Sequence, residues 1–190
     1  MPRAYPGQSI GVFGGSFDPA HAGHAHVAQT ALRRLGLDAV WWLVTPQNPL
    51  KPHGGALAAR LASARALAPG PKHWAMALET LLGTQFTADT LARLRALYPG
   101  VRFVFVMGAD GMGSFRHWRR WRAILSCAPV VVVSRPGVPL AARLALPFGP
   151  GRRRGADRAL AAAALPAWAY APARWHRHSS TDLRRGVRAD

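Results

Sequence analysis

One glutamate, one cysteine and two lysines are all this chain contains of those three residues, and each shortage closes a line of chemistry. Glu79 is the only glutamate among 8 acidic residues, so hydrolysis by paired carboxylates has few candidates. Cys127 stands alone and can form no internal disulfide; this fits a reducing compartment, expected to be the cytoplasm of a bacterium-like cell. No run approaches the roughly eighteen consecutive apolar residues of a membrane span. Met1-Pro2-Arg3-Ala4-Tyr5-Pro6 has no apolar stretch long enough for a secretory signal. A P-loop, G-x-x-x-x-G-K-S/T, is missing, and no G-x-G-x-x-G follows a strand, so a dinucleotide cofactor is unsupported. Gly14-Gly15-Ser16-Phe17-Asp18 lacks the final glycine of a hydrolase nucleophile elbow.

What the chain has in excess is positive charge, +17 from 25 basic residues against 8 acidic ones. Such a field draws polyanions: nucleotides, pyrophosphate, nucleic acid or an acidic membrane. Nearly all of it is arginine beside abundant alanine, a bias that GC-rich codons would produce regardless of function. The 190 residues are expected to form one domain, 1–190, with enough apolar content for a real core.

Apolar runs alternate with helical stretches throughout. Ile10-Gly11-Val12-Phe13 reads as a buried strand that stops at the pair Gly14-Gly15. Val27, Ala28, Ala31, Leu32 and Leu35 then recur at helical spacing between Gly23 and Leu35, before Gly36. Further strands are expected at Ala39 to Val44, Trp74 to Leu78, Val101 to Met107, Pro129 to Ser134 and Trp168 to Tyr170. Helices are expected at Leu57 to Ala68, Ala88 to Tyr98 with Thr87 as N-cap, Phe115 to Leu125, and the alanine-rich Asp157 to Leu165. Gly149 to Gly155 reads as a basic loop. This alternation predicts an α/β fold, a Rossmann-like, doubly wound parallel sheet with helices on both faces. Ligands of such sheets sit at the carboxyl ends of the strands, where the Gly14 turn, Gly108-Ala109-Asp110 and the Ser179 segment should fall.

The most informative stretch is Gly14-Gly15-Ser16-Phe17-Asp18-Pro19-Ala20-His21-Ala22-Gly23-His24. It places two histidines, three apart, where a helix begins beyond a strand and a glycine-rich turn. A helix N-terminus offers unpaired N–H groups and partial positive charge, and so attracts phosphate. Two imidazoles there can donate to phosphate oxygens as charge develops. Two other readings stay open: histidines that merely cap the helix, and a metal pair on one helix face. The metal reading lacks a third Cys, His or carboxylate at ligand spacing nearby.

With Gly-Gly-Ser-Phe-Asp-Pro and His-x-Gly-His at fixed spacing, this stretch resembles the HxGH signature of the nucleotidyltransferases, which move a nucleoside monophosphate from a triphosphate. His178-Ser179-Ser180-Thr181-Asp182-Leu183-Arg184 resembles the second signature of that family, usually Ile-Ser-Ser-Thr-x-Ile-Arg, with His178 and Leu183 replacing the isoleucines. The resemblance implies catalytic roles for His24, His21 and Arg184. It implies ATP contacts from Gly15, Ser16, Phe17, His21, His24, Ser179, Ser180, Thr181 and Arg184. Mg²⁺ would travel with the ATP phosphates, with no protein ligand assigned to it. Removing His24 is expected to lower turnover severely and nearly spare folding.

Three further segments resemble the nicotinate mononucleotide adenylyltransferase branch of the family. Asn48-Pro49-Leu50-Lys51-Pro52 resembles its substrate loop after the second strand. Thr84-Gln85-Phe86-Thr87-Ala88-Asp89-Thr90-Leu91 resembles its Ser/Thr-x-Thr segment, where Thr87 and nearby amides would bind a nicotinate carboxylate; Phe86 stands where tyrosine is usual. Gly108-Ala109-Asp110 with Phe115, Trp118, Trp121, Ile124 and Leu125 resembles the remaining block. There Trp118 would stack on the pyridine ring or else be buried, Trp121 would be core, and Asp110 would bind ribose or magnesium or cap a helix. The implied substrate contacts are thus Asn48, Lys51, Thr87, Asp110 and Trp118. The implied reaction is AMP transfer from ATP to nicotinate mononucleotide, giving deamido-NAD and pyrophosphate in NAD biosynthesis. Another acceptor, nicotinamide mononucleotide or phosphopantetheine, is the alternative within the family. A basic nucleic-acid-binding module, with Arg116, Arg119, Arg120 and Arg122 around Trp118 and Trp121, is the rival from another class. It leaves both phosphate signatures unexplained. No membrane or nucleic-acid partner is expected, and a homo-oligomer is left open.

Overall fold

The computed structural model describes residues 1–46, 55–134, 152–153 and 156–172. Seven strands form one sheet: β1 (Ser9–Gly15), β2 (Ala39–Val44), β3 (His73–Met76), β4 (Arg102–Gly108), β5 (Val130–Val133), β6 (Arg152–Arg153) and β7 (Ala167–Ala171). Their order is β3-β2-β1-β4-β5-β7-β6, and every neighbouring pair is parallel. Five α-helices connect them: α1 (Ala22–Leu35), α2 (Leu57–Leu67), α3 (Leu78–Leu82), α4 (Thr87–Leu97) and α5 (Trp121–Cys127).

Alternation along each strand sends neighbouring side chains to opposite faces. Trp41 and Trp42 show it most plainly, since both are buried but in different layers. Trp41 joins Val12, Phe103 and Phe105 under Leu78, Leu91, Leu94 and Ile124 of α3, α4 and α5. Trp42 joins Phe13, Val104 and Val106 under Val27, Ala28, Ala31 and Leu35 of α1. Because both faces are covered, the strands read as unbroken apolar runs. Gly11 is required by this closeness: a Cβ there would lie 2.8 Å from Leu37 Cδ1.

The chain runs from β1 outward to β2 and β3, then returns to the other side of β1 as β4. Strand order therefore reverses between β1 and β4, and a crevice opens at their carboxyl ends. The Gly15 end of β1 and Gly108-Ala109-Asp110 both lie there.

Five local expectations need correction. β1 continues through Gly14-Gly15, because Gly14 and Gly15 still pair with Leu43 and Val44. Thr87 is the first residue of α4, and Phe86 holds the N-cap position without a side-chain cap. The helix expected at Phe115 to Leu125 is split: a 3-10 turn at Phe115–His117, an extended Trp118, left-handed Arg120 at φ 54°, then α5. The alanine-rich segment forms a short 3-10 helix, Arg158–Ala162, that starts from a cap by Asp157. Arg152 and Arg153, expected in a loop, form the edge strand β6 on β7.

Candidate active site

The turn after β1 is held from three sides. Phe17 adopts a left-handed φ of 47°, costly for a bulky residue. Its ring is almost completely buried: it stacks on Trp42 at 5.3 Å and meets Phe13 and His24 edge-on at 5.3 and 4.9 Å. Gly15 leaves room for it, because a Cβ at that position would sit 3.1 Å from the Phe17 ring. From β2, the Thr45 N–H donates to the Gly15 carbonyl at 3.0 Å. From the α2 side, Ser63 Oγ accepts from the Ala20 N–H and Asp18 accepts from the Gly55 N–H, at 3.2 and 3.1 Å.

The two histidines begin α1 as a reciprocal cap. His21 is the N-cap, and its Nδ1 accepts from the Gly23 N–H at 3.1 Å. His24, three residues into the box, accepts from the His21 N–H through its own Nδ1 at 3.2 Å. The capping reading and the phosphate-donor reading are therefore not rivals. Acceptance at Nδ1 assigns the ring proton to Nε2 in both residues, which puts the N–H of each on the opposite edge of its ring. The ring centroids lie 3.9 Å apart, which brings the two rings together at the positive end of a 14-residue helix.

On the other side of the crevice, two cations draw the Thr84 segment to the Trp118 segment. The Arg119 guanidinium lies 4.6 Å over the Phe86 ring, and Arg120 pairs with Asp89 at 2.7 Å. Trp118 is half-buried, its indole N–H donating to Ser114 Oγ at 3.4 Å and its ring meeting Phe105 and Phe115. One face of the core thus supports Trp118 while part of it stays open. Trp121 packs on Phe115 at 6.0 Å and against the core, as expected, with Arg122 over its ring. Asp110 lies exposed within the 3-10 turn Ala109–Gly111 that follows β4.

Beneath the Thr84 segment lies Glu79, 3 % exposed. Thr90 Oγ1 donates to its Oε1 at 3.2 Å, and Thr84 and Thr90 share a hydroxyl hydrogen bond of 2.8 Å. Burial pushes the Glu79 carboxyl up to about 7 against the smaller opposing effect of the Thr90 bond. His73 is its converse: burial lowers it to about 4. It accepts from the Trp42 indole N–H and bonds Gln29 Oε1 at 3.0 Å, joining β2, β3 and α1.

The structure thus groups Gly15, Ser16, Phe17, His21 and His24 around one turn, and links Thr87 to Trp118 through their neighbours Phe86 and Arg119. Asn48, Lys51, Ser179, Ser180, Thr181 and Arg184 lie outside the described residues. Sequence reasoning passed over Arg60 and gave Arg119 and Arg120 no part on this side of the crevice. Arg60 sits mid-helix with no motif around it; the pairing of Arg120 with Asp89 spans 31 positions and leaves no local signal. Among the described residues, no group of three His, Cys, Asp or Glu could hold a metal ion, and no helix is long and apolar enough to cross a membrane.

Residues 12–186 match the cytidylyltransferase-like family. A protein of Roseobacter denitrificans, named "probable nicotinate-nucleotide adenylyltransferase", is 50 % identical over 189 residues, covering 97 % of this chain and 95 % of its own. One of the same name from Methylorubrum extorquens is 51 % identical over 181 residues, covering 92 % and 98 %. Among solved structures, the nicotinic acid mononucleotide adenylyltransferase of Plasmodium falciparum complexed with NaAD superposes with a TM-score of 0.68 at 16 % identity. That superposition covers 94 % of this chain and 83 % of the other, and is a likeness of fold.

Proposed function

The chain belongs to the cytidylyltransferase-like family, and from that premise we propose that it is a nicotinate-nucleotide adenylyltransferase, moving AMP from ATP to nicotinate mononucleotide. The observation that carries the acceptor is the identity of about half, over nearly the full length, to relatives bearing that name. In the reaction the 5′-phosphate oxygen of nicotinate mononucleotide attacks the α-phosphorus of ATP. The new P–O bond forms as the bond to the β-phosphate bridge breaks, and pyrophosphate leaves with that electron pair.

No protein nucleophile is needed. Catalysis comes from holding two anions in line and stabilising the charge that develops between them. His21 and His24 would donate Nε2–H to phosphate oxygens, with the α1 N-terminus adding its partial charge. Gly15, Ser16 and Phe17 would shape the surface that the nucleotide approaches. By resemblance, Ser179, Ser180, Thr181 and Arg184 would hold the β- and γ-phosphates and balance the leaving pyrophosphate. Mg²⁺ would arrive on ATP as part of the substrate, and its donors would be phosphate oxygens and water.

For the acceptor, α4 starts without a side-chain cap. Its first N–H groups and the Thr87 hydroxyl suit a nicotinate carboxylate. Trp118, supported by Phe105 and Phe115, would stack on the electron-poor pyridine. Asn48, Lys51 and Asp110 would complete the mononucleotide site. A soluble, cytoplasmic protein suits this work.

The test is pyrophosphate release from Mg·ATP with nicotinate mononucleotide, nicotinamide mononucleotide and phosphopantetheine in parallel. Strong preference for the first supports the proposal. Preference for another acceptor keeps the phosphate chemistry and removes the roles of Thr87 and Trp118. No release with any of them brings forward the basic nucleic-acid-binding module.

A further inference from the structure

One buried cation has no place in the chemistry above. Arg60, on the second turn of α2, is 6 % exposed. Among the described residues it meets no carboxylate; its partners are four backbone carbonyls. Nε donates to the Gly55 oxygen, Nη1 to the Ser16 and Thr45 oxygens, and Nη2 to the Pro46 oxygen, each at 2.8 Å. A buried guanidinium needs its donors satisfied, and its rigid planar fork fixes the positions of the acceptors as much as they fix it.

The identity of those carbonyls gives the contact its meaning. Ser16 belongs to the turn that leads to His21 and His24, and precedes Phe17 with its left-handed backbone. Pro46 and Gly55 are the residues on either side of 47–54, the stretch that contains Asn48 and Lys51. One side chain therefore joins the phosphate turn to both ends of the acceptor segment. Two lesser bonds from the same region, Ser63 to Ala20 and Asp18 to Gly55, run alongside it.

We propose that Arg60 is a positioning residue for adenylyl transfer, fixing the turn that leads to His21 and His24 against Thr45, Pro46 and Gly55 and so aligning the phosphates held at the α1 N-terminus. It touches neither substrate. Its effect lies in alignment, where misplacement by about 1 Å costs on the order of 10²-fold in rate. This rests on the adenylyltransferase reading, so wild-type pyrophosphate release with nicotinate mononucleotide is measured first. Failure there removes the reading itself.

With that activity in hand, Arg60→Met and Arg60→Lys are compared with wild type at a temperature where circular dichroism shows them folded. The expected result is a kcat lowered by at least about tenfold in both, with each KM within about threefold. A lysine does not restore the rate, because one ammonium cannot span four divergent carbonyls. A merely structural role would lower the melting temperature and leave kcat per folded molecule unchanged. A kcat within about threefold of wild type in either folded variant overturns the proposal. Should Arg60→Met not fold, Arg60→Lys, which keeps the charge and the stem, decides alone.

Discussion

His21 and His24 hold each other in place: the backbone N–H of the first donates to the ring of the second at 3.2 Å, and their ring centroids lie 3.9 Å apart. The same Nδ1 atoms that start α1 orient the Nε2–H groups. Folding and the proposed phosphate contact would thus use opposite edges of the same two rings, and a substitution can be chosen to separate them.

His24→Glu keeps an acceptor at the third position of the capping box, where glutamate is favoured, and takes away the ring N–H donor. It should melt within a few degrees of wild type, yet lose about 10²- to 10³-fold in kcat, the usual cost of removing one donor to developing charge. His24→Ala loses the cap as well and should unfold at lower temperature, by about 1 kcal/mol. Near-normal turnover in His24→Glu, with melting curves recorded on the same samples, would remove the histidine from the chemistry.

Thr87→Val should raise KM for nicotinate mononucleotide with less change for nicotinamide mononucleotide, since only the former has a carboxylate to lose. A lost hydrogen bond to a charged group costs about 1.5–3 kcal/mol, or about 10- to 150-fold in kcat/KM. Steady-state rates with both acceptors check it. Equal losses for the two would place Thr87 outside the carboxylate site.

Phe17 offers a test of its left-handed backbone. Removing the buried ring should cost about 3–5 kcal/mol in either Phe17→Ala or Phe17→Gly. Alanine usually exceeds glycine in stability, but at φ 47° the order should reverse, with Phe17→Gly better by about 0.5–1 kcal/mol. Urea titration of both variants measures the difference, and the ordinary order would refute that conformation.

Glu79 and His73 give opposing pH dependence. Glu79 is raised from 4.5 to about 7, so its folded state binds the proton more tightly. Its contribution is full below 4.5 and declines as pH rises towards 7. His73 is lowered from 6.5 to about 4; its contribution is full above 6.5 and declines as pH falls towards 4. Between pH 4.5 and 6.5 the two slopes, each about 1.4 kcal/mol per pH unit at most, cancel. Glu79→Gln should unmask a stability that rises with pH across that window. His73→Asn, which still offers an acceptor to Trp42, should unmask one that falls. Urea midpoints at several pH values decide, and parallel curves for the two variants would contradict both assignments.

The sheet was legible because burial on both faces writes itself as apolar runs: Ala39–Val44 is the strand expected. The capping glycine was legible too, since Gly36 ends α1 at φ 58°. Failures came where contacts between distant segments outweighed local preference. Phe115 to Leu125 has helical composition, yet Phe115, Trp118 and Trp121 must converge on one core, and the chain breaks at Arg120 to let them. Thr87 has the chemistry of an N-cap but joins the helix, while Thr90 bonds Glu79 beneath it and Thr84 bonds Thr90. On the candidate site, motif spacing picked out Ser16, His21 and His24. It had no access to Arg60, whose four acceptors are carbonyls and carry no side-chain signature.

The place of β1 between β2 and β4 also bears on synthesis at the ribosome. β1 ends at Gly15, but its second neighbour does not begin until Arg102. A nascent chain that has released β2 still has one bare edge on its central strand, and parallel pairing across such a separation is slow. The turn that carries the histidine pair is written first and completed late. A product stalled or truncated between β2 and β4 would expose that edge, an aggregation hazard that the full-length chain covers.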